Sequence, residues 1–209
     1  MTTTTTKKKD DKKPRGYFKY VLALDCETSG VAMGCDDPSF NPDTGKTYAS
    51  VSWGFLVLDG ATLKEVDHLY LEIKPTEGCA WDTGAEKVHG LSREYLAKHG
   101  TDEDKAVLQI AQLILKYWGP DSYINLLGHN VQFDKWFLQR LMRSQGIELN
   151  FSNRLIDTNS FGFLIDVYNS DDLFSSLGLK ERNEHNAMED IRITAEAARI
   201  MRKLVQSSF

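Results

Sequence analysis

Val21-Leu22-Ala23-Leu24-Asp25-Cys26-Glu27-Thr28-Ser29-Gly30 opens as a buried strand and closes as a turn. A short apolar run followed by Thr-Ser-Gly is the pattern of a strand that crosses a core and ends at its rim. Strand side chains alternate faces, so Asp25 and Glu27 share one face while Leu24 and Cys26 take the other. The Cα atoms of the two acids are expected about 6.5–7 Å apart, close enough for both carboxylates to converge on one cation. Without a cation, two acids at the end of an apolar strand repel each other and lose hydration. The alternative is a strand end that opens into solvent, where acids escape that penalty. Asp-x-Glu alone does not choose between the two.

The 209 residues are enough for one domain with a sizeable core. No apolar run reaches the length of a membrane span, and the N-terminus lacks the apolar segment of a signal peptide. The expected location is therefore cytoplasmic, with no membrane partner. Cys26, Cys35 and Cys79 are an odd number without C-x-x-C spacing, which predicts reduced thiols and no structural zinc. Residues 1–20 hold seven Lys or Arg and two Asp, and the rest of the chain carries a net charge of −10. A body this acidic is a poor generic binder of duplex backbones. Acids clustered around divalent metal would account for part of the excess, and solvated acidic faces for the rest.

Residues 1–16, with almost nothing apolar, read as a disordered basic tail ahead of a single domain over residues 17–209. Residues 31–48, rich in Gly, Pro, Asp and Asn, form a long loop leaving the acidic end of the first strand. Within it, Asn41-Pro42-Asp43-Thr44-Gly45 has oxygen ligands but neither the register nor the closing Glu of a calcium loop, so it reads as turn chemistry. Ser50–Asp59 and Glu65–Lys74 flank a turn at 60–64. They predict a hairpin, with Val66, Leu69, Leu71 and Ile73 marking the buried face of its second strand. With the first strand this makes a three-strand antiparallel meander. Thr76–Gly90 reads as irregular, followed by a short helix from Ser92 or Arg93.

Thr101 reads as an N-cap with Asp102, Glu103 and Asp104 in the first turn. The helix it opens carries Val107, Ile110, Ala111, Ile114, Leu115 and Trp118 as its apolar stripe, and Gly119-Pro120 stops it. Tyr123–Leu127 is a short strand, turned by Gly128-His129-Asn130 into a helix through Phe133, Phe137, Leu141 and Met142 that ends at Gly146. Another strand follows near Arg154–Asp157. Strand, helix, strand is a parallel crossover, and Asp134 falls in the first turn of its helix, where α/β sheets gather ligands. Phe161–Leu173 is mixed and helical in part. The last helix places Ala187, Ile191, Thr194, Ala198, Met201 and Val205 on one stripe, with Asp190 on the same stripe. A buried Asp needs a partner, either a distant Arg or a metal. His185, five residues earlier, belongs to the turn before the helix.

Asp25-x-Glu27-Thr28, His129-Asn130-x-x-Phe133-Asp134 and His185-x-Ala187-x-x-Asp190 together resemble the three motifs of the DEDDh, or DnaQ-like, 3′–5′ exonucleases, over residues 18–205. The sister class carries Tyr four residues before the last Asp; here that position is Asn186. Val88-His89-Gly90-Leu91-Ser92 is similar to the loop that this family places beside the 3′ end. The resemblance implies an α/β, ribonuclease H-like fold: a mixed sheet, with the antiparallel meander plus parallel strands, flanked by helices. It implies a 3′–5′ exonuclease acting on single-stranded DNA or RNA 3′ ends, DNA favoured, and releasing nucleoside 5′-monophosphates. It implies two divalent ions, Mg²⁺ or Mn²⁺, held by Asp25, Glu27, Asp134 and Asp190, with His185 taking a proton from the attacking water. Thr28, His89 and Asn130 would contact the terminal nucleotide or brace the site. A polymerase or a second copy of the chain would be the protein partner. The alternative is a non-catalytic nucleic-acid-binding or polymerase-adaptor module on the same fold. The 31–48 insertion and the basic tail depart from the family pattern and bear on substrate choice.

Overall fold

The computed structural model describes residues 18–179 and 185–208; the expected basic tail lies outside them. Strand β1 (Tyr20–Thr28) is followed by the small pair β2 (Phe40–Asn41) and β3 (Lys46–Thr47), then β4 (Ser50–Asp59) and β5 (Glu65–Glu72). Helices α1 (Thr83–His89), α2 (Arg93–His99) and α3 (Glu103–Trp118) precede β6 (Leu126–Gly128), α4 (Val131–Ser144) and β7 (Ile156–Asp157). The chain continues through α5 (Thr158–Phe163) and α6 (Ser170–Ser176) to α7 (Ala187–Ser207). The five-stranded sheet runs β5-β4-β1-β6-β7. β1 is antiparallel to β4 and parallel to β6, so the meander and the crossover share one strand. This is the expected ribonuclease H-like mixed sheet.

Alternation along β1 builds both layers. Leu22, Leu24 and Cys26 pack with Val107, Ile110, Val131 and Phe137 of α3 and α4. Val21 and Ala23 face Met188, Ile191, Ala195 and Ala198 of α7. Asp25 and Glu27 have the parity of the α7 face. Opposite Asp25 in the register stands Gly54. A Cβ there would lie 2.5 Å from the Ala187 carbonyl carbon and 2.7 Å from the Met188 nitrogen, so the first turn of α7 rests directly on the backbone of β4.

Several expectations need correction. Residues 83–89 are helical rather than irregular, because Asp82 accepts the Gly84 N–H as N-cap and Gly90 closes the turn at φ 71°. The cap of α3 is Asp102, not Thr101, whose backbone instead bonds Glu72 and Lys74. The Asp102 carboxylate is held by Lys74 and Lys105 and makes no capping bond. Leu115 and Val205 are exposed, since each falls at the edge of its stripe. Val66 is exposed as well, because a register shift opposite the start of β5 turns it outward. Tyr123 precedes β6 and is exposed. The 41–45 segment is a turn, as expected, with the Asn41 side chain accepting from the Asp43 and Thr44 backbones. All three cysteines are free.

Candidate active site

β1 and β4 fall out of step between Glu27 and Thr28, and the strand is then tied down by a buried serine. The Ser29 hydroxyl donates to the Ala80 carbonyl at 2.8 Å and accepts the Ala49 N–H at 3.0 Å. Its backbone carbonyl takes the Asp82 N–H. One side chain thus fixes the acidic end of β1 to the residue that enters β4 and to the segment before α1. The sequence offered only a turn at this position, since its partners lie 20 and 51 residues away.

Asp134 arrives from the α4 side of the sheet and is buried, with 3 % of its surface exposed. Its Oδ1 accepts the Cys26 N–H at 2.9 Å, between the two acids of β1. Burial pushes its carboxyl up to about 8 and the Glu27 charge adds to the push, while the Cys26 hydrogen bonds oppose it. Burial likewise raises the Cys26 thiol, helped by the charges of Asp134, Asp25 and Glu27, so these three acids crowd one residue. Folding therefore favours neutral Asp134 in the metal-free chain. Its contribution to stability is full below about pH 4, the unfolded value, and fades as the pH rises towards 8. Protein treated with EDTA is expected to melt at a lower temperature at pH 8.5 than at pH 6, with a flatter dependence in Asp134→Asn. An unchanged slope in that variant would place the effect in other groups.

Asp190 comes from the first turn of α7, over the other face, and is also 3 % exposed. Glu27, His185 and Asp190 each offer a ligand atom, and these atoms lie within 4.8 Å of one another. His185 Nδ1 stands 3.7 Å from Asp190 Oδ2, and its ring is 46 % exposed. Asp25, half-buried, and Asp134 fall outside this tight group and adjoin it through Cys26.

Thr28 is buried at the strand end. His89 closes α1 as a buried residue rather than a loop side chain. Its Nδ1 accepts the Leu91 N–H at 3.0 Å, which assigns the proton of the neutral ring to Nε2. That Nε2 is buried and forms no hydrogen bond of normal geometry among the described residues. Burial lowers the His89 pKa, the Thr28 backbone and Glu86 oppose this, and His185 adds to it, which puts both imidazoles in one neighbourhood. Asn130 starts α4 in the left-handed conformation, φ 59°, and its N–H donates to Asp157 Oδ1 at 2.9 Å. Its exposed side chain makes no capping bond. His129 Nδ1 is 3.0 Å from the Thr158 hydroxyl, bracing the same turn.

The donors are carboxylate oxygens with one imidazole and no thiolate, a set suited to hard divalent cations. A carboxyl held near neutrality by burial and by a neighbouring acid is what such a cation would relieve.

No family model matches the chain, and no curated protein matches it in sequence. Solved structures match it in fold. A 3′-exonuclease studied for 3′-end recognition of histone mRNA stem-loop has a TM-score of 0.66 at 16% identity, over 88% of this chain and 64% of that one. The nuclease domain of 3′hExo, a DEDDh family member bound to rAMP, has a TM-score of 0.62 at 14% identity, over 92% of this chain and 94% of that one. The zinc-bound E. coli ExoI–ssDNA complex has a TM-score of 0.66 at 16% identity, over 89% of this chain and 41% of that one. This chain thus spans nearly all of the 3′hExo nuclease domain but about two-fifths of ExoI. It carries the ribonuclease H-like α/β fold of the DEDDh 3′-exonucleases.

Proposed function

We propose that this chain is a metal-dependent 3′–5′ exonuclease, with residues 17–209 as its nuclease domain. It acts on single-stranded 3′ ends, DNA in preference to RNA, and releases nucleoside 5′-monophosphates. The observation that carries the reading is the meeting of Glu27, His185 and Asp190 at one face of β1, with Asp134 reaching the same strand from the opposite layer. Asp25, Glu27, Asp134 and Asp190 would hold divalent ions, Mg²⁺ or Mn²⁺. Ions bound there would lower the pKa of water and neutralise charge on the scissile phosphate.

The chain's own groups divide the remaining work. His185, exposed beside Asp190, takes the proton of the attacking water and passes it to solvent. Neutral His89, buried with its ring against the Thr28 backbone, braces the end of β1 where the terminal nucleotide would lie. Asn130 presents a side chain that capping does not engage, and Thr28 lines the floor at the end of β1. Among the described residues no helix is long and apolar enough to cross a membrane.

The test is digestion of matched 3′-labelled DNA and RNA oligonucleotides with Mg²⁺ and with Mn²⁺. Stepwise shortening from the 3′ end is expected, faster on DNA and abolished by EDTA. Asp25→Ala should slow it by at least about 100-fold, the loss typical when one group that steadies transition-state charge is removed. Binding without shortening would favour the adaptor reading instead.

A further inference from the structure

The start of α7 carries a set of contacts that the motif does not include. Asn186, directly after His185, caps the helix: its Oδ1 accepts the Met188 N–H at 3.0 Å and the Glu189 N–H at 3.3 Å. With that oxygen engaged, the amide nitrogen must face the other way. It donates to the Tyr70 hydroxyl oxygen at 3.4 Å. Tyr70 in turn gives its only hydroxyl proton to Glu72 Oε1 at 3.0 Å. The direction of every bond in this relay is thereby set, from the Glu72 carboxylate on β5 to the helix N-terminus.

Glu72 is also faced by Tyr95 of α2, whose phenol it raises through a hydrogen bond. β5 is the edge strand of the sheet, and Tyr70 lies 116 residues from Asn186. His185 itself is nearly half exposed, and its Nδ1 is beyond hydrogen-bond reach of Asp190. Asn186 directly follows it, and the side chain of Asn186 holds the backbone there to the first turn of α7.

On the exonuclease reading above, we propose that Tyr70 is a positioning residue, acting through Asn186 to set His185 over Asp190. Removing the Tyr70 hydroxyl leaves the half-buried Asn186 amide without its acceptor, so the amide turns and the cap loosens. Misplacing a proton-accepting group by about 1 Å costs on the order of 100-fold in rate; a loosened one that still samples its place should cost less.

The experiment measures Tyr70→Phe, Asn186→Asp and the double variant. Tyr70→Phe is expected to lower kcat on a single-stranded DNA oligonucleotide about 10-fold, with KM within about 2-fold and the melting temperature within about 3 °C. Asn186→Asp keeps an oxygen for the cap but has no donor for Tyr70. In its background Tyr70→Phe should therefore add nothing. Unchanged kcat in Tyr70→Phe, or full additivity with Asn186→Asp, overturns the proposal. The ring resonances of the five histidines, with that of His185 assigned from His185→Ala, provide a readout free of activity. Tyr70→Phe should shift the His185 signal in the folded protein. If the wild-type chain shortens no oligonucleotide, the exonuclease reading fails. The resonance then decides on its own: a shift supports the positioning role and an unmoved signal overturns it.

Discussion

His185→Ala is expected to slow hydrolysis of a 3′-labelled oligonucleotide by about 10²–10⁴-fold, the range that a positioned general base contributes. The ring is 46 % exposed and its contact with Asp190 is 3.7 Å, so little packing goes with it. Surface changes of this kind stay within about 0.5 kcal/mol of stability. Activity and fold should therefore separate cleanly, with turnover collapsing and the melting curve in place. Added imidazole should restore part of the rate, because the gap left behind opens to solvent. Turnover within about 3-fold of wild type would sink the assignment of this ring as the base.

Gly54→Ala should do the opposite and damage fold and activity together. On propensity alone the change is favourable, since glycine inside a strand costs about 0.5–1 kcal/mol relative to alanine. Gly54 does not adopt a positive φ, so its backbone accepts any residue. The obstacle is Ala187, whose carbonyl carbon would lie 2.5 Å from the new methyl. A backbone cannot swing aside as a side chain does. Overpacking costs about 1–3 kcal/mol, and a collision with backbone belongs at the upper end. For a domain of this size the melting temperature should fall by about 6–12 °C. As α7 retreats, Asp190 in its first turn leaves Glu27, and hydrolysis should drop by on the order of 100-fold. A variant that melts at or above the wild-type temperature would show that α7 does not sit where this contact puts it.

These two residues mark the limits of reading the chain unfolded. That Glu27, His185 and Asp190 meet, with Asp134 reaching the same strand, was legible because their spacing matches a family pattern. β1, α4 and α7 were legible because their apolar residues keep one period over several turns. Gly54 was not. It stands in Ser50–Asp59, where nearly every residue is buried on one face or the other, so periodicity carries no signal. Its reason for being glycine is a contact with a segment 133 positions further on. Ser29, Tyr70 and Asn186 share that fate: each is an ordinary polar residue until the sheet brings its partner close. Helix α1 escaped notice for a different reason, since seven residues with one buried side chain have no stripe to read. The shift of the α3 cap from Thr101 to Asp102 is local competition. Thr101 joins the bridge to Ile73, and the helix begins one residue later.

α4 and α7 lean on opposite faces of the sheet, yet each delivers an acid to the rim of β1. That rim is where the two layers of the protein speak to one another without five strands in between. A bulky replacement buried between α3 and α4, remote from any bond being broken, would nudge Asp134 relative to Asp190. The activity proposed above would in this way be throttled from the far side of the sheet, by changes that leave the acids themselves untouched.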